Sequence, residues 1–466
     1  MKRLAPLLAV CLISSGAGAA GRAQAGELAV GAAAVELAAD DSMPIAGGIQ
    51  PRYFKGQEGQ LRAVAVVLQR SASERMAIVA CDLLMLTRDL VDPCVARIEH
   101  EVGIPASCVM VHATHTHHAP STIPVHGYGR DEAFCRQVQG AIVEAVADAA
   151  ARLAPASMHF KLGEEKTVGQ NSRLLLSDGS IYWVGPRDDV VRPTGPFDPE
   201  LPVLAFRRPG GELTALVFNH ATHTIGSLRP GVRSPAFYGM AAQRMEADLG
   251  GVVCFLQGAS GSTHRMDVPP AEAADRIEKA VRQALAAAEP CEVDRLASLK
   301  RPFTFKVRTF DEEAEDRAVT DYCTKRSGRD PQPIIDVFRR MRRELAPQQG
   351  QARTTWLQAT AIGPVAVVGV PAEFFTRLGI DVKSRSPFAD TIVVELANDW
   401  IGYLPDREAH RLGGYQVWTG LHSYAEPGTG ERMVDEAIAM LEELARQPTS
   451  LVKEAARPPR RSAPLP

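Results

Sequence analysis

The chain has 466 residues, of which 45% are hydrophobic and 23% are charged, and its formal net charge is −3. This length and composition suit a globular enzyme with one large domain or two to three average ones. The small negative net charge argues against nucleic acid as a partner.

The N-terminus predicts a secretory signal. Lys2 and Arg3 precede an apolar run over residues 4–13, and small residues lead to Ala25 at the end of an A-x-A site. This order is typical of a signal peptide, so we expect residues 1–25 to be removed and the mature chain to be exported, to the periplasm or the medium. The alternative is an apolar strand or a membrane anchor, although the run is shorter than the roughly 20 residues that span a bilayer.

Short β-branched runs alternate with helical stretches along the chain, which predicts an α/β protein. Several predicted strands end in polar residues, and the carboxyl ends of strands are where an open α/β sheet presents active groups. The predicted strands cover 62–68, 76–81, 108–111, 215–218, 252–256, 357–362, 365–370 and 391–395, and the predicted helices cover 87–102, 131–153, a stretch beginning at Glu373, and 431–445.

Two segments depart from this alternation. Residues 301–351 are charged and helical, with a strand-like stretch at 304–307, and we interpret them as an insertion. The last residues, 447–466, are rich in Pro and Arg and are predicted to be disordered. A single catalytic domain is therefore expected over residues 26–446.

Seven of the eight cysteines remain once the signal peptide is removed. An odd number without CxxC spacing argues against a cysteine zinc site. Cys81, Cys108 and Cys254 lie in apolar, strand-like runs and are expected to be buried thiols. The other cysteines are candidates for one or two disulfides after export.

A histidine cluster at residues 112–118 follows the predicted strand at 108–111 directly. In an extended chain residues i and i+2 share a face, so His115 and His117 can point into one site. Imidazole is a common zinc ligand, and the cluster predicts a metal site. A hydrogen-bonded polar loop is the alternative, and a His-x-His pair would also suit a TIM-barrel amidohydrolase.

Three further features follow in sequence. His220 and His223 lie at the end of the strand predicted at 215–218. Glu373 follows a buried strand and is predicted to open a helix, where a carboxylate would also be favoured by the helix macrodipole. The segment 398–405 is aromatic and turn-like, and Tyr415 follows it after two glycines.

These features, in this order, resemble the neutral/alkaline ceramidases over nearly all of residues 28–445. The chain ends before the C-terminal β-sandwich usual in that family, so the resemblance implies a short form with the mixed-sheet α/β fold of the family's catalytic domain. It implies Zn²⁺ as the cofactor. The residues it assigns are His115, His223, Glu373 and Tyr403 as metal ligands, His117 as the neighbouring catalytic histidine, and Tyr415 as the residue on the substrate carbonyl.

The sequence departs from the family pattern at two places. The loop 258–265 carries Ser262 and His264 where the family has Asp and Ser, and the family's Asn-Arg-Ser reads Asn-Ser-Arg, ending at Arg173. Arg173 and His264 are retained as catalytic candidates. The departures leave the set of metal residues complete and bear on substrate specificity.

The chemistry implied is hydrolysis of an amide bond in an N-acyl lipid, ceramide-like, or in another small amide. Zinc lowers the pKa of bound water from about 15.7 toward 7. Tyr415 would stabilise the oxyanion, and His117 would carry the proton to the leaving amine. A lipid substrate allows transient contact with a membrane surface, and the sequence does not fix the oligomeric state.

Two other functions compete with this prediction. A serine hydrolase would use Ser260 or Ser262 as nucleophile with His264 as base, but the loop lacks the G-x-S-x-G spacing. A non-catalytic exported zinc-binding protein would hold the metal for structure. Structural zinc is normally closed by four protein ligands, and Tyr403 as a fourth ligand would allow that.

Overall fold

The computed structural model describes residues 27–328 and 330–447. The predicted signal peptide over 1–25 and almost all of the predicted disordered tail over 447–466 lie outside the described residues. The described chain is a mixed α/β fold, which confirms the predicted fold class.

Three larger sheets form the centre of the described chain. In spatial order, the first contains Val109–Ala113, Arg75–Cys81, Arg62–Gln69, Ala29–Glu36 and Ala154–Pro155; the second contains Val252–Gln257, Leu213–His220, Glu200–Arg207, Ser157–Glu164 and Glu289–Cys291; the third contains Leu296–Lys306, Ala352–Ile362, Val365–Gly369 and Asp390–Val394. Short two-stranded sheets pair Thr263–His264 with Gln170–Asn171, Glu373–Phe374 with Tyr403–Leu404, and Leu174–Leu176 with Val190–Pro193.

The helices flank these sheets. They cover Arg88–Val102, Glu132–Ala151, Ala236–Leu249, Pro270–Ala286, Glu312–Arg326, Gln332–Leu345, Thr376–Arg385, Arg407–Leu412 and Thr429–Arg446, with 3₁₀ turns at Ala106–Cys108 and Ala346–Gln348. Asp131 begins one of them by accepting a hydrogen bond from the Phe134 N–H at 2.8 Å, as an N-cap aspartate does. None of the helices in the described ranges is both long and apolar enough to cross a membrane.

One hydrophobic core joins the three sheets. Val66 of the first sheet, Phe206 of the second and Val367 of the third belong to the same buried cluster. Each is at most 1% exposed, and burying such a side chain stabilises the fold by about 1.5–3 kcal/mol. The sheets therefore keep fixed positions relative to one another, and so do the loops at their ends.

Each large sheet contains one parallel pair of strands, and these pairs set the position of the site. The pairs are Arg75–Cys81 with Val109–Ala113, Leu213–His220 with Val252–Gln257, and Val365–Gly369 with Asp390–Val394. The carboxyl ends of parallel strands lie at the same edge of a sheet. The histidine loops and the segments that follow Gly369 and Val394 accordingly leave the sheets at these edges.

Three expectations about local structure need correction. Glu373 does not open a helix: its N–H donates to the Gly402 carbonyl at 3.1 Å, and the helix starts at Thr376. Residues 301–306 of the expected insertion belong to the long strand Leu296–Lys306, which pairs with Ala352–Ile362 over its whole length. The seven cysteines are all free in the described residues, so the expected disulfides do not form.

Candidate active site

His115 occupies a strained turn directly after the strand Val109–Ala113. Its φ is 65°, in the left-handed region that non-glycine residues seldom adopt. The segment is therefore not extended, and the shared-face argument for His115 and His117 is wrong. The turn still brings the two rings together, with centroids 4.9 Å apart.

His223 reaches the same place from the second sheet, three residues after the strand Leu213–His220 ends. The Nε2 atoms of His115 and His223 are 2.8 Å apart, and both rings are buried. His220 lies elsewhere: its nitrogens contact the Tyr238 hydroxyl at 2.5 Å and the Glu165 carbonyl at 2.9 Å. The structure thus places His223, and not His220, beside His115.

Glu373 enters from the third sheet. Its short strand runs parallel to the strand that contains Tyr403. Burial, and then the charge of Glu373, raise the pKa of Tyr403 well above its ordinary value. The Trp400 indole N–H donates to Oε1 of Glu373 at 3.2 Å. Oε2 lies 3.4 Å from Nε2 of His115 and 3.5 Å from Nε2 of His223.

The hydrogen bonds at Nδ1 of His115 and His223 show that the point where their Nε2 atoms converge suits a cation. Nδ1 of His115 is 2.8 Å from the Leu84 carbonyl, and Nδ1 of His223 is 3.2 Å from the Ser260 carbonyl. A carbonyl only accepts, so each Nδ1 carries the proton and each Nε2 presents a lone pair. Two imidazole lone pairs and one carboxylate oxygen therefore converge on one point.

This donor set fits a metal ion. Nitrogen and oxygen donors suit zinc, and a carbonyl behind each imidazole is the usual arrangement around metal-bound histidines. The ligand atoms of His115, His117 and His223 all lie within 4.8 Å of one another, so this buried group can hold a metal. Burial lowers the pKa of His115, but the neighbouring Glu373 more than offsets this effect, so the pKa is raised above its ordinary value. A positive charge is stabilised at this point.

The ring of His117 lies 4.9 Å from that of His115 and 5.3 Å from that of His223, and one of its nitrogens has no hydrogen-bond partner among the described residues. Its Nδ1 lies 3.1 Å from the Gly47 carbonyl and so carries the proton, while its Nε2 is buried without a hydrogen-bond partner in the described chain. Burial, and then the charge of His115, hold the pKa of His117 well below its ordinary value. His117 is therefore a neutral base with its lone pair unused.

Tyr415 is held by stacking on both faces. Trp183 stacks at a centroid distance of 4.6 Å and His422 at 5.0 Å. The Tyr415 hydroxyl lies 3.3 Å from Nε2 of His126, and its ring is 5.8 Å from that of Tyr403. The phenol is thus fixed beside the metal-binding group, and burial raises its pKa well above the ordinary value, which keeps it a proton donor.

Arg173, predicted to be catalytic, lies beside the segment that carries Tyr415. It donates to the Gln416 side-chain oxygen at 2.8 Å and to the Gly413 carbonyl at 2.6 Å, and its guanidinium lies over the ring of Phe375. These bonds fix both sides of Tyr415. Arg173 is a positioning residue for that tyrosine.

His264 lies on the other side of His223, at a ring-centroid distance of 4.5 Å. The two loop serines are otherwise engaged. Ser260 is buried and its hydroxyl donates to Glu395 at 2.5 Å, and the hydroxyl of Ser262 donates to Thr376 at 3.2 Å. No hydrogen bond links either serine to His264 among the described residues, so the loop lacks the nucleophile–base pair of a serine hydrolase.

Sequence reasoning missed several residues of the site. His126 and His422 contact Tyr415, Trp400 contacts Glu373, and Glu395 accepts hydrogen bonds from the N–H groups of Ser260 at 3.1 Å and Phe374 at 2.8 Å. Glu395 could have been found, because it directly follows the strand Asp390–Val394 as other polar site residues follow theirs. The two histidines are isolated in the sequence and carry no comparable signal.

The backbone is strained around the same centre. His115, His126, Leu396 and Asn398 all have φ between 57° and 65°. Such residues cost about 1–3 kcal/mol each and persist where the surrounding structure fixes them. Their clustering next to Tyr415, Glu395 and the metal-binding group is typical of a functional site.

Two solved structures share this architecture. The neutral ceramidase from Pseudomonas aeruginosa matches with a TM-score of 0.70 over 93% of this chain and 77% of its own, at 19% identity. The fold is that of a neutral ceramidase. A ceramidase complexed with C2 matches with the same TM-score and coverage at 18% identity. No protein-family model and no curated protein matches the chain at the sequence level.

Proposed function

We propose that this chain is a zinc-dependent amidohydrolase that cleaves the amide bond of an N-acyl lipid of the ceramide type. The observation that carries the proposal is the convergence of Nε2 of His115, Nε2 of His223 and Oε2 of Glu373 within 3.5 Å of one another. It occurs in a ceramidase fold, with the unused base His117 beside it.

His115, His223 and Glu373 would hold the zinc ion, with Tyr403 next to Glu373 as the fourth ligand. Bound zinc would supply a more acidic water and a polarised carbonyl. The Leu84 and Ser260 carbonyls orient the two imidazoles, and Trp400 fixes the carboxylate. Such supporting contacts determine how well a metal site is preorganised.

His117 moves the proton. Nε2 of His117 takes a proton from water as the water oxygen bonds to the carbonyl carbon of the amide. The carbon–nitrogen bond then breaks, and His117 gives the proton to the leaving nitrogen, so that a carboxylic acid, which retains the second proton of the water, and an amine are released. The hydrogen bond from Nδ1 to Gly47 fixes the tautomer that this exchange requires.

Tyr415 donates its hydroxyl hydrogen to the carbonyl oxygen that becomes negative during the attack. The hydrophobic surface beside it suits an acyl chain: Ile49, Trp183, Val184 and Ile334 are partly exposed and pack with Tyr415 in one cluster. A lipid substrate would bring the chain into transient contact with a membrane surface.

The test uses fluorogenic N-acyl amides of several chain lengths. We expect hydrolysis that a chelator abolishes and added zinc restores, and that a serine-directed phosphonate leaves intact. Sensitivity to the phosphonate without sensitivity to the chelator would establish the serine hydrolase instead. One zinc per chain without turnover of any N-acyl compound would establish the non-catalytic zinc-binding protein.

A second experiment separates the proton carrier from the ligands. His117→Ala should keep one zinc per chain while kcat falls by about 10²–10⁴. His223→Ala should lose zinc and activity together. Elemental analysis of both variants is the measurement, and loss of zinc from His117→Ala would make His117 a ligand.

A further inference from the structure

The buried metal-binding residues have half-buried neighbours. His115, His223 and Glu373 are at most 3% exposed, whereas His117, His264 and Arg265 are half-buried. These half-buried residues mark one side from which a substrate can enter. Arg265 stands at that entrance, directly after His264, whose ring lies beside His223.

Arg265 is a half-buried cation without a counter-ion. Its Nη2 donates to the Ile225 carbonyl at 3.3 Å, and its Nε is buried without a hydrogen-bond partner. Within residues 27–328 and 330–447, no Asp or Glu forms an ion pair with Arg265 at 4.0 Å or less. The neighbouring Asp267 pairs with Arg187 instead. Partial burial of an unpaired charge costs free energy, which a ligand of opposite charge would offset.

Hydrogen bonds connect Arg265 to the loop that contains His223 and, through that loop, to His117. Ile225 lies two residues after His223, and the carbonyl of the intervening Thr224 accepts the His117 N–H at 3.4 Å. One short loop thus connects a metal-binding histidine, the proposed proton carrier and the arginine. On the far side of His117, Arg52 donates to the His117 carbonyl at 3.1 Å and also lacks an acidic partner among the described residues. Two arginines without an acidic partner among the described residues therefore hydrogen-bond to His117 or to the loop beside it, and their charges would attract an anion.

We propose that Arg265 binds a carboxylate on the substrate near the scissile amide, so that the preferred substrate is an N-acyl amino acid rather than a neutral ceramide. This inference rests on the proposed amide hydrolysis and narrows its substrate class. The planar guanidinium binds a carboxylate through two parallel hydrogen bonds, and Nη1 of Arg265, which makes no hydrogen bond among the described residues, is available as one such donor. In an N-acyl amino acid the carboxylate is two bonds from the amide nitrogen, which places it beside the reacting centre.

The test compares N-dodecanoylglycine with N-dodecanoylglycinamide, which differ chiefly in the negative charge, on the zinc-loaded protein. We expect kcat/KM to be about tenfold higher for the acid, mainly through KM, because one charge-assisted contact at a half-exposed site is worth about that factor. The preference should fall as salt is raised. Arg265→Gln should bring the ratio near one, and Arg265→Lys should keep part of it.

Arg187→Gln is the matched control, since it removes a nearby arginine that is already paired with Asp267, and it should leave the ratio unchanged. A preference that survives in Arg265→Gln would show that another cation binds the carboxylate and would overturn the inference. Equal hydrolysis of both amides by the unmodified protein would overturn it while leaving the amidohydrolase intact. Failure to cleave either amide or any other N-acyl compound would refute both.

Discussion

Replacing Tyr415 by Phe isolates the role of its hydroxyl, because the structure predicts little loss of packing. Phe keeps the ring and therefore both stacking partners, Trp183 at 4.6 Å and His422 at 5.0 Å. The only hydrogen bond removed is the 3.3 Å contact to His126. A bond of this kind contributes about 0.5–1.5 kcal/mol to stability, so the variant should fold normally.

The effect on catalysis should be much larger. A donor used mainly in the transition state raises kcat with little effect on ground-state binding. Losing one such donor costs about 2.7–4 kcal/mol, or 10²–10³ in rate. Tyr415→Phe should therefore retain zinc and a near-normal KM while kcat falls by that factor. Steady-state kinetics on a good N-acyl substrate, with elemental analysis of the same sample, is the assay.

Tyr403→Phe is the matched comparison, because Tyr403 lies on the short strand that pairs with that of Glu373, whereas the Tyr415 hydroxyl lies beside His126. It should weaken metal affinity, and added zinc should partly restore activity. If both rings merely pack, Phe should be nearly neutral at both positions. A Tyr415→Phe protein with full zinc and unchanged kcat would refute the oxyanion role.

Three other predictions follow from the structure and the N-terminal sequence. Glu395→Gln should weaken zinc binding about 10–100-fold in an equilibrium titration, since Glu395 supports the segments that contain Ser260 and Phe374; unchanged affinity would exclude that support. Burial raises the pKa of Asp82 to about 7, so the folded chain keeps a proton that the unfolded chain loses, and stability should decrease as pH rises from about 4 to 7. Asp82→Asn should remove that decrease in the free energy of unfolding, which is worth up to about 4 kcal/mol. Chemical denaturation at pH 4 and pH 8 measures it, and a decrease that persists in the variant would show that Asp82 is not its source. The exported protein should begin at or near Gly26, whereas an intact N-terminus in a cytoplasmic fraction would contradict the signal peptide.

The sequence predicted the regular elements well where periodicity was local. The strand expected at 252–256 is Val252–Gln257, and the helix expected at 131–153 is Glu132–Ala151. Glu373 was placed wrongly in a helix because its N–H pairs with Gly402, a partner that no local pattern reveals. Tertiary hydrogen bonding decided the local conformation there, as it often does at short, buried segments.

The site itself could be predicted only in part, and the reason is topological. His115, His223 and Glu373 follow strands and occur in recognisable motifs, so their meeting could be anticipated. His126 and His422 reach Tyr415 because Phe338, on the helix Gln332–Leu345, packs against both of their rings. That helix was interpreted as part of an insertion, and sequence spacing gave no indication that it packs against these histidines.

The structure also explains how the departures in the loop 258–265 can change the substrate without removing the metal site. The Ser260 carbonyl and hydroxyl face inward, toward His223 and Glu395. His264 and Arg265 lie at the half-buried entrance, where the family serine would be. Because the supporting contacts and the entrance use different residues of one loop, substitutions at the entrance need not disturb the imidazole of His223. A ceramidase fold at 19% identity is therefore compatible with the proposed zinc site and with the proposed carboxylate on the substrate.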